Sequence, residues 1–362
     1  MLRNWRVFAV LTAILLAALG CTVPPTRSAL PSSMQGLHVQ GNQILNSARQ
    51  VIQFRGVDRS GAEYGCVDGG PIFDGPTDTR AAIAAIKSWH VNAVRLPLNE
   101  DCWLGINGVP SQYSGTNYRN AIVHYVKDLS AAGIAAILNL HFSAPGTTVP
   151  HNQWPMADQD HAPAFWASVA DTFLNNHSVI FDLFNEPNPN NNTDSASSWS
   201  CALNGGNCGG VGYTVAGMQE MVDDVRSTGA TQPLMIAGPD YAGDLDRWLK
   251  YEPHDPLAQL IASIHIYGLP LDSDCRLESC WNSQMARVSL KVPVIIGEFG
   301  DTNCTDGEST PLMNWADRHG ISYLAWAWNI GSCGREPSLI KNYSGTPTDY
   351  GVGVRNHLQS VG

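Results

Sequence analysis

At 362 residues, 44% of them hydrophobic and 15% charged, the chain has the composition of a well-buried globular protein, not of a disordered or fibrous one. The length exceeds the usual single domain, although α/β barrels reach about 250 residues and more as one unit. A net charge of −11 argues against nucleic acid or an anionic membrane surface as the main partner and is consistent with an uncharged ligand.

Arg3 and Arg6 precede a nearly unbroken apolar run from Val7 to Leu19, and Gly20-Cys21 follows. That is the order of a secretory signal, too short for a comfortable membrane span. Ala18-Leu19-Gly20-Cys21 also resembles a bacterial lipobox, whose cysteine is lipidated and becomes the new N-terminus. The expectation is a lipoprotein-type signal over residues 1–21, with plain secretion as the alternative, then a Pro/Ser/Thr tether over 22–35 and one domain over 36–362. Beyond Cys21 the chain carries eight cysteines, an even number that suits disulfides in an exported protein. Cys201/Cys208 and Cys275/Cys280 are spaced as loop staples; Cys66/Cys102 and Cys304/Cys333 would then join loops after neighbouring strands. A cysteine metal site is disfavoured because no Cys-x-x-Cys occurs.

A hairpin over 37–45, turning at Gly41-Asn42, is placed to plug the bottom of a barrel. Strand-like and helix-like segments then alternate. Strand one covers 51–56 and a helix 79–90, with Ile83, Ile86 and Trp89 on one face. Strand two, 92–96, ends near Arg95. A helix over 118–132 stops at Gly133 and leads to strand three, 134–140, ending at His141. A helix over 163–175 leads to the apolar strand four, which runs from Val179 into Asn185-Glu186 and stops at Pro187, a residue without a ladder donor. A helix over 213–228 precedes strand five, 233–237. Strand six, 260–264, runs into His265 and Tyr267. A helix around 281–290 feeds strand seven, which ends on Glu298. A helix over 311–319 feeds strand eight, 321–326, followed by Trp328. The tail near 350–358 closes as a last helix.

Eight strands alternating with helices predict a (β/α)8 TIM barrel, in which strand C-terminal ends share one face and that face holds the site. An open doubly wound sheet is the alternative, but no glycine-rich phosphate loop follows strand one. Each strand-end residue alone has a bland reading. Arg95 suits a structural ion pair, His141 or His265 a buried histidine, Glu186 a helix start and the tryptophans packing. The bland reading does not anticipate so many polar, titratable strand ends at one lip.

Asn185-Glu186-Pro187 after an apolar strand, His265-x-Tyr267 and Gly297-Glu298-Phe299-Gly300 resemble the signatures of family 5 glycoside hydrolases of clan A, the cellulase-like group. Arg95 in Asn-Ala-Val-Arg-Leu-Pro and His141 in Leu-Asn-Leu-His match two further positions, and the resemblance runs in order over about residues 37–358. Asn139 departs from it, standing where many relatives carry an acidic residue two before the histidine. The resemblance implies a retaining endo-β-glycoside hydrolase with Glu186 as acid/base and Glu298 as nucleophile. Such chemistry supplies a proton to the leaving oxygen and an electron pair to the anomeric carbon. It further implies Arg95 and Tyr267 beside Glu298, Asn185 on the sugar 2-hydroxyl, and His141 and His265 in the subsite before the cleaved bond. Trp326 is the expected stacking platform with Trp328 as its alternate, and Tyr64, Trp103, Trp154, Trp199 and Trp281 are candidates for lining a longer cleft.

No metal and no cofactor is expected. The partner is a β-linked oligo- or polysaccharide, not nucleic acid, with membrane contact only through a lipid on Cys21, and the protein is expected to be a secreted or surface-anchored monomer. A β-1,4-glucan is the first substrate and β-mannan or another cell-envelope glycan the second. Two different classes stand against this: a non-catalytic carbohydrate-binding lipoprotein, and a hydrolase with zinc at His141, His265 and Glu298.

Overall fold

A computed structural model describes Met1 and residues 34–77, 80–267, 275–303, 305–331 and 336–362. Eight parallel strands close into a barrel: β1 (Arg55–Asp58), β2 (Ala93–Asn99), β3 (Ala135–Phe142), β4 (Val179–Asp182), β5 (Leu234–Ala237), β6 (Leu260–Tyr267), β7 (Val294–Gly300) and β8 (Ser322–Ala325). Each pairs with its sequence neighbours, and β8 returns to β1. Helices cover the outside, among them Arg80–Lys87, Thr116–Ala131, Ala162–Thr172, Met218–Ser227, Ser309–His319 and Asp349–Val361.

Because strand side chains alternate, the apolar runs sort into two sets. Val94, Leu96, Ala136, Leu138, Phe181, Ile236, Ile264, Ile296 and Tyr323 face outward into the large core beneath the helices. Ala93, Ala135, Ile137, Ile180, Met235, Ile261, Ile295 and Leu324 face inward and form a separate apolar layer at the strand starts, joined by Met34, Leu37, Val39, Ile44 and Phe54. The hairpin (His38–Gln40 with Gln43–Leu45) thus seals the barrel floor, tied there by Leu37 N–H to His177 O (2.9 Å) and Val39 N–H to Gln259 Oε1 (2.6 Å). Above that layer the inward positions change character to Asp58, Arg95, Asn139, Asp182, Ser263, His265 and Glu298. All are buried.

Several boundaries differ from expectation. Residues 51–54 read as a strand, but Val51 bridges Leu45 and Ile52 N–H bonds Ile44 O (2.8 Å), so this backbone serves the hairpin and β1 begins at Arg55. β1 therefore extends to Asp58, two residues beyond the expected end of the first strand. β2 continues through Pro97 to Asn99. The regular ladder of β4 stops at Asp182, four residues before Glu186, so Pro187 is not what ends it. Even so, Leu183 N–H still bonds Met235 O (3.1 Å) and Asn185 N–H bonds Leu140 O (3.0 Å), keeping the polar pair at the barrel lip.

Three expected disulfides are formed: Cys66–Cys102, Cys201–Cys208 and Cys275–Cys280. Cys304 and Cys333 lie outside the described residues, as do Cys21 and the signal and tether up to residue 33.

Candidate active site

Strand register assembles the first layer of the site. Across β1 and β2, Asp58 stands opposite Arg95; across β3 and β4, Asn139 stands opposite Asp182; across β6 and β7, His265 stands opposite Glu298. The last pairing depends on an irregularity, since Ile264 pairs Ile296 and the next pair skips Gly297. A Cβ on Gly297 would sit 2.7 Å from Ser263 Oγ and 3.0 Å from His265 Nε2. Glycine is therefore required by close approach, and its place before Glu298 makes room for His265.

Arg95 is the hub. Its Nε donates to Asp182 Oδ2 (2.7 Å), its Nη1 to Asp58 Oδ1 (3.0 Å) and Glu298 Oε1 (2.5 Å), and its Nη2 to Asn185 Oδ1 (2.7 Å). Burial by itself disfavours the guanidinium, but Asp182, Glu298 and Asp58 hold its pKa well above the ordinary value. The same burial pushes Asp58 up, with Arg95 opposing, and Asp182 up to about 6. A permanent cation among three carboxylates fits arginine and not lysine, because the planar fork serves several acceptors at once.

Glu298 receives a second donor on its other oxygen, Tyr267 Oη at 2.6 Å. Burial, then Glu298 and Glu186, keep the Tyr267 phenol protonated. Glu186 is held differently. Its side chain is 19% exposed against 4% for Glu298, and its Oε1 faces His265 Nδ1 at 3.0 Å. Burial pushes Glu186 up to about 7, opposed by Arg95 and by Gln153. Burial also lowers His265 to about 4, with Glu298 opposing and Arg95 adding, so the ring is neutral near pH 7 and its Nδ1 shares a hydrogen bond with Glu186 Oε1 without competing for the charge. One ligand-capable atom from each of Glu186, His265 and Glu298 lies within 4.8 Å of the others. The two carboxylates are thus close neighbours, unlike the roughly 6.5–9.5 Å separation that admits a water between them.

Asn139 answers the departure noted in the sequence. Its Nδ2 donates to Asp182 Oδ2 (3.0 Å), which fixes the amide so that Oδ1 accepts from His141 Nδ1–H (2.9 Å). His141 is held neutral by burial, Arg95 and His265, and presents Nε2 as an acceptor. Trp326 stacks on His141 with centroids 5.5 Å apart and planes 13° from parallel. Trp328 instead packs edge-on against Trp89 at 4.8 Å in the core, so Trp326 is the tryptophan at the cleft. His141 and its neighbours do not form the zinc set considered from sequence: the close trio includes Glu186 in place of His141.

These side chains line one cleft of about 540 Å³, together with Asn192, Asp240, Tyr241, Thr302, Glu336 and Pro337. Every sequence-selected residue at the site reaches the cleft except Arg95, which lies beneath it. The other loop aromatics do not line it. Trp103 and Trp281 are buried, Trp199 stacks on Tyr251, Trp154 meets Tyr213 edge-on, and Tyr64 donates to Asp74.

Sequence reasoning missed Asp58, Asp182, Gln153 and Tyr241. Asp182 had a signal, an acid inside an apolar strand that needs a buried cation. Gln153 had none; it accepts from Asn185 Nδ2 (2.9 Å) and donates to Glu186 O (2.7 Å) from a distant loop. Tyr241 is 50% exposed at the cleft, in a left-handed run of Asp240, Tyr241 and Ala242 (φ 60, 52 and 62°). Asn192 Nδ2 holds that run through Asp240 Oδ1 at 2.6 Å.

The sequence model of one family, described as Cellulase (glycosyl hydrolase family 5), matches residues 45–332. A mannan endo-1,4-beta-mannosidase of Cellvibrio japonicus (strain Ueda107) is 23% identical over 352 residues, covering 94% of this chain and 71% of that protein. A beta-mannanase/endoglucanase A of Caldicellulosiruptor saccharolyticus is 25% identical over 286 residues, 75% of this chain but 18% of that much longer protein. Among solved structures, a beta-glucanase from Saccharophagus degradans superposes with a TM-score of 0.67 at 19% identity, covering 93% of this chain and 98% of the other. That likeness concerns the fold.

Proposed function

The chain belongs to glycosyl hydrolase family 5, and on that premise we propose that it cleaves internal bonds of a β-1,4-linked hexose polymer by double displacement, with retention. The observation that carries this is the asymmetric pair: Glu298 bound by Arg95 and Tyr267, Glu186 raised to about 7 and bound by neutral His265.

In the first step Glu298 attacks the anomeric carbon while Glu186 gives its proton to the departing glycosidic oxygen. The bond to that oxygen breaks, and a glycosyl ester on Glu298 forms. In the second step the Glu186 carboxylate takes a proton from water, the water oxygen attacks the same carbon, and Glu298 leaves as carboxylate. Close carboxylates support retention, and the burial that raises Glu186 supports its role as the acid. Asn185, with Oδ1 fixed by Arg95, has an Nδ2 hydrogen for the sugar 2-hydroxyl. Trp326 offers an apolar face to a sugar ring, and His141 Nε2 accepts from a hydroxyl beside it.

Glucan and mannan both remain substrates of this reading. The relative named for mannan, matched over 94% of this chain, favours mannan; the cellulase-like resemblance put glucan first, while the signature residues touch only the reacting sugar and do not choose the polymer. The deciding experiment is a panel of β-1,4-glucan, β-1,4-mannan and mixed glucomannan, with products sized, on the protein and on Glu298→Ala. Oligosaccharides from at least one polymer, absent with the variant, are expected; no product from any would overturn the proposal.

Export follows from the same reading, with Cys21 lipidated and the domain outside the cell as a monomer. Three disulfides support an oxidising compartment. Replacing Cys21 with Ser should move the protein from the membrane fraction to the soluble one; unchanged partitioning would rule out the anchor.

A further inference from the structure

After Asn99 the chain turns at once into the short helix Glu100–Leu104, and both Glu100 and Asp101 are buried by the turn. Asp158, also buried, and His161, whose side chain is 21% exposed, arrive from the segment that leads into helix Ala162–Thr172. His161 Nδ1 lies 3.3 Å from Asp158 Oδ1 and 3.7 Å from Glu100 Oε1. One ligand-capable atom from each of Glu100, Asp101 and His161 falls within 4.8 Å of the others. None of the four residues lines the catalytic cleft.

What distinguishes this group from an ordinary acidic cluster is how little satisfies it. Neither oxygen of Glu100, neither oxygen of Asp101, Asp158 Oδ2 nor His161 Nδ1 makes a well-formed hydrogen bond. The Asp158 carboxyl and the Ala144 N–H approach Glu100, and the Asn107 amide approaches Asp101, without completing one. Among the described residues no lysine or arginine pairs with them; the one basic side chain against them is the His161 imidazole. Buried carboxylates left in this condition cost several kcal/mol each, at least in order of magnitude.

We propose that Glu100, Asp101, Asp158 and His161 form a divalent-cation site at the barrel rim, outside the catalytic cleft. Ligands bound at about 2.0–2.4 Å sit at most about 4–4.8 Å apart across an ion, which the spread of Glu100, Asp101 and His161 allows; Asp158 stands beside them with Oδ2 free to join. The donor set is mixed, carboxylate oxygen with one imidazole nitrogen. It suits a manganese- or zinc-type ion better than calcium, which takes oxygen ligands alone. The ion ties the end of β2 to the segment that leads from β3 into helix Ala162–Thr172, beside the Cys66–Cys102 disulfide. The competing filling is protons: a bare cluster of this kind holds Glu100 protonated through burial and the neighbouring Asp158.

The test uses the full chain, dialysed against chelator and titrated calorimetrically with Mn²⁺ or Zn²⁺, with melting followed in parallel and glycan hydrolysis assayed separately. One equivalent is expected to bind and to raise the melting temperature, with affinity at least tenfold weaker in Asp101→Asn and in His161→Gln. The second variant, at a partly exposed position, guards against a folding failure in the first. Glu186→Gln should bind the ion as the parent does. No binding by the parent would overturn the site, as would binding lost in Glu186→Gln but kept in the other two. A melting temperature indifferent to metal, with Glu100→Gln as stable as the parent, would assign the cluster to shared protons.

Discussion

The strand β2 feeds two groups of three carboxylates that differ in what stands at their centre. Inside the barrel, Asp58, Asp182 and Glu298 surround Arg95, and each gives it an oxygen within 3.0 Å. Just past the strand end, Glu100, Asp101 and Asp158 face His161, and most of their oxygens have no donor. A guanidinium keeps its charge at any relevant pH and fixes three acids in place. An imidazole does neither. The first arrangement is finished within the protein, and the second is completed only from solution.

Breaking the first group gives the largest effects. Glu298→Ala should cut hydrolysis by about 10⁴-fold or more. Azide should partly restore turnover and yield the inverted glycosyl azide; absence of rescue would remove Glu298 as nucleophile. Arg95→Met should lower stability by about 3–5 kcal/mol in denaturant unfolding, because it strands buried carboxylates. A melt like the parent's would mean the hub is not what holds them.

Glu186 lies outside direct reach of Arg95, and its predicted loss is smaller and conditional. Glu186→Gln should cost about 10²–10⁴-fold on poor leaving groups, the usual range for a general acid, and little in the first step on good ones. The raised pKa sets the sign with pH: the protonated form is the acid, so parent kcat/KM, which reports the free enzyme, should fall as pH rises through about 7. That limb should vanish in the variant; its persistence would assign it elsewhere. Smallest of the set, Trp326→Ala should weaken substrate binding by about 0.5–1.5 kcal/mol, read as a raised KM with little change in melting. Trp328→Ala should do the reverse, destabilising by about 3–5 kcal/mol through the lost core contact with Trp89. Equal KM effects would contradict the placement of the two rings.

The barrel was legible because parallel strands buried on both faces leave apolar runs, such as residues 179–181 and 292–296, and because titratable residues follow them within a few positions. Glu186, Glu298, His141, His265 and Tyr267 were visible for that reason. Asp58 was hidden by an error of register in the first strand, where the hairpin takes backbone that reads as barrel. Gln153 and Tyr241 come from loops whose paths are set by tertiary contacts, such as Tyr241 N–H on Pro187 O (3.1 Å), and no local pattern announces them. The choice between Trp326 and Trp328 needed the path of the chain past Ala325, where β8 ends: residues two apart share a face in a regular strand, yet only Trp326 lines the cleft while Trp328 packs on Trp89.

The hairpin that seals the floor also sets where the polypeptide enters. Met34 and Leu37 pack against the strand starts, so the first residues of the domain lie on the side opposite the carboxylates. A leash attached there points the mouth away from its attachment, leaving a long, bulky polymer free to lie across the opening. Fusions and immobilisation supports placed on that end should inherit the same geometry, whereas attachment through the loops around Asn192 and Tyr241 would set the support against the polymer's path.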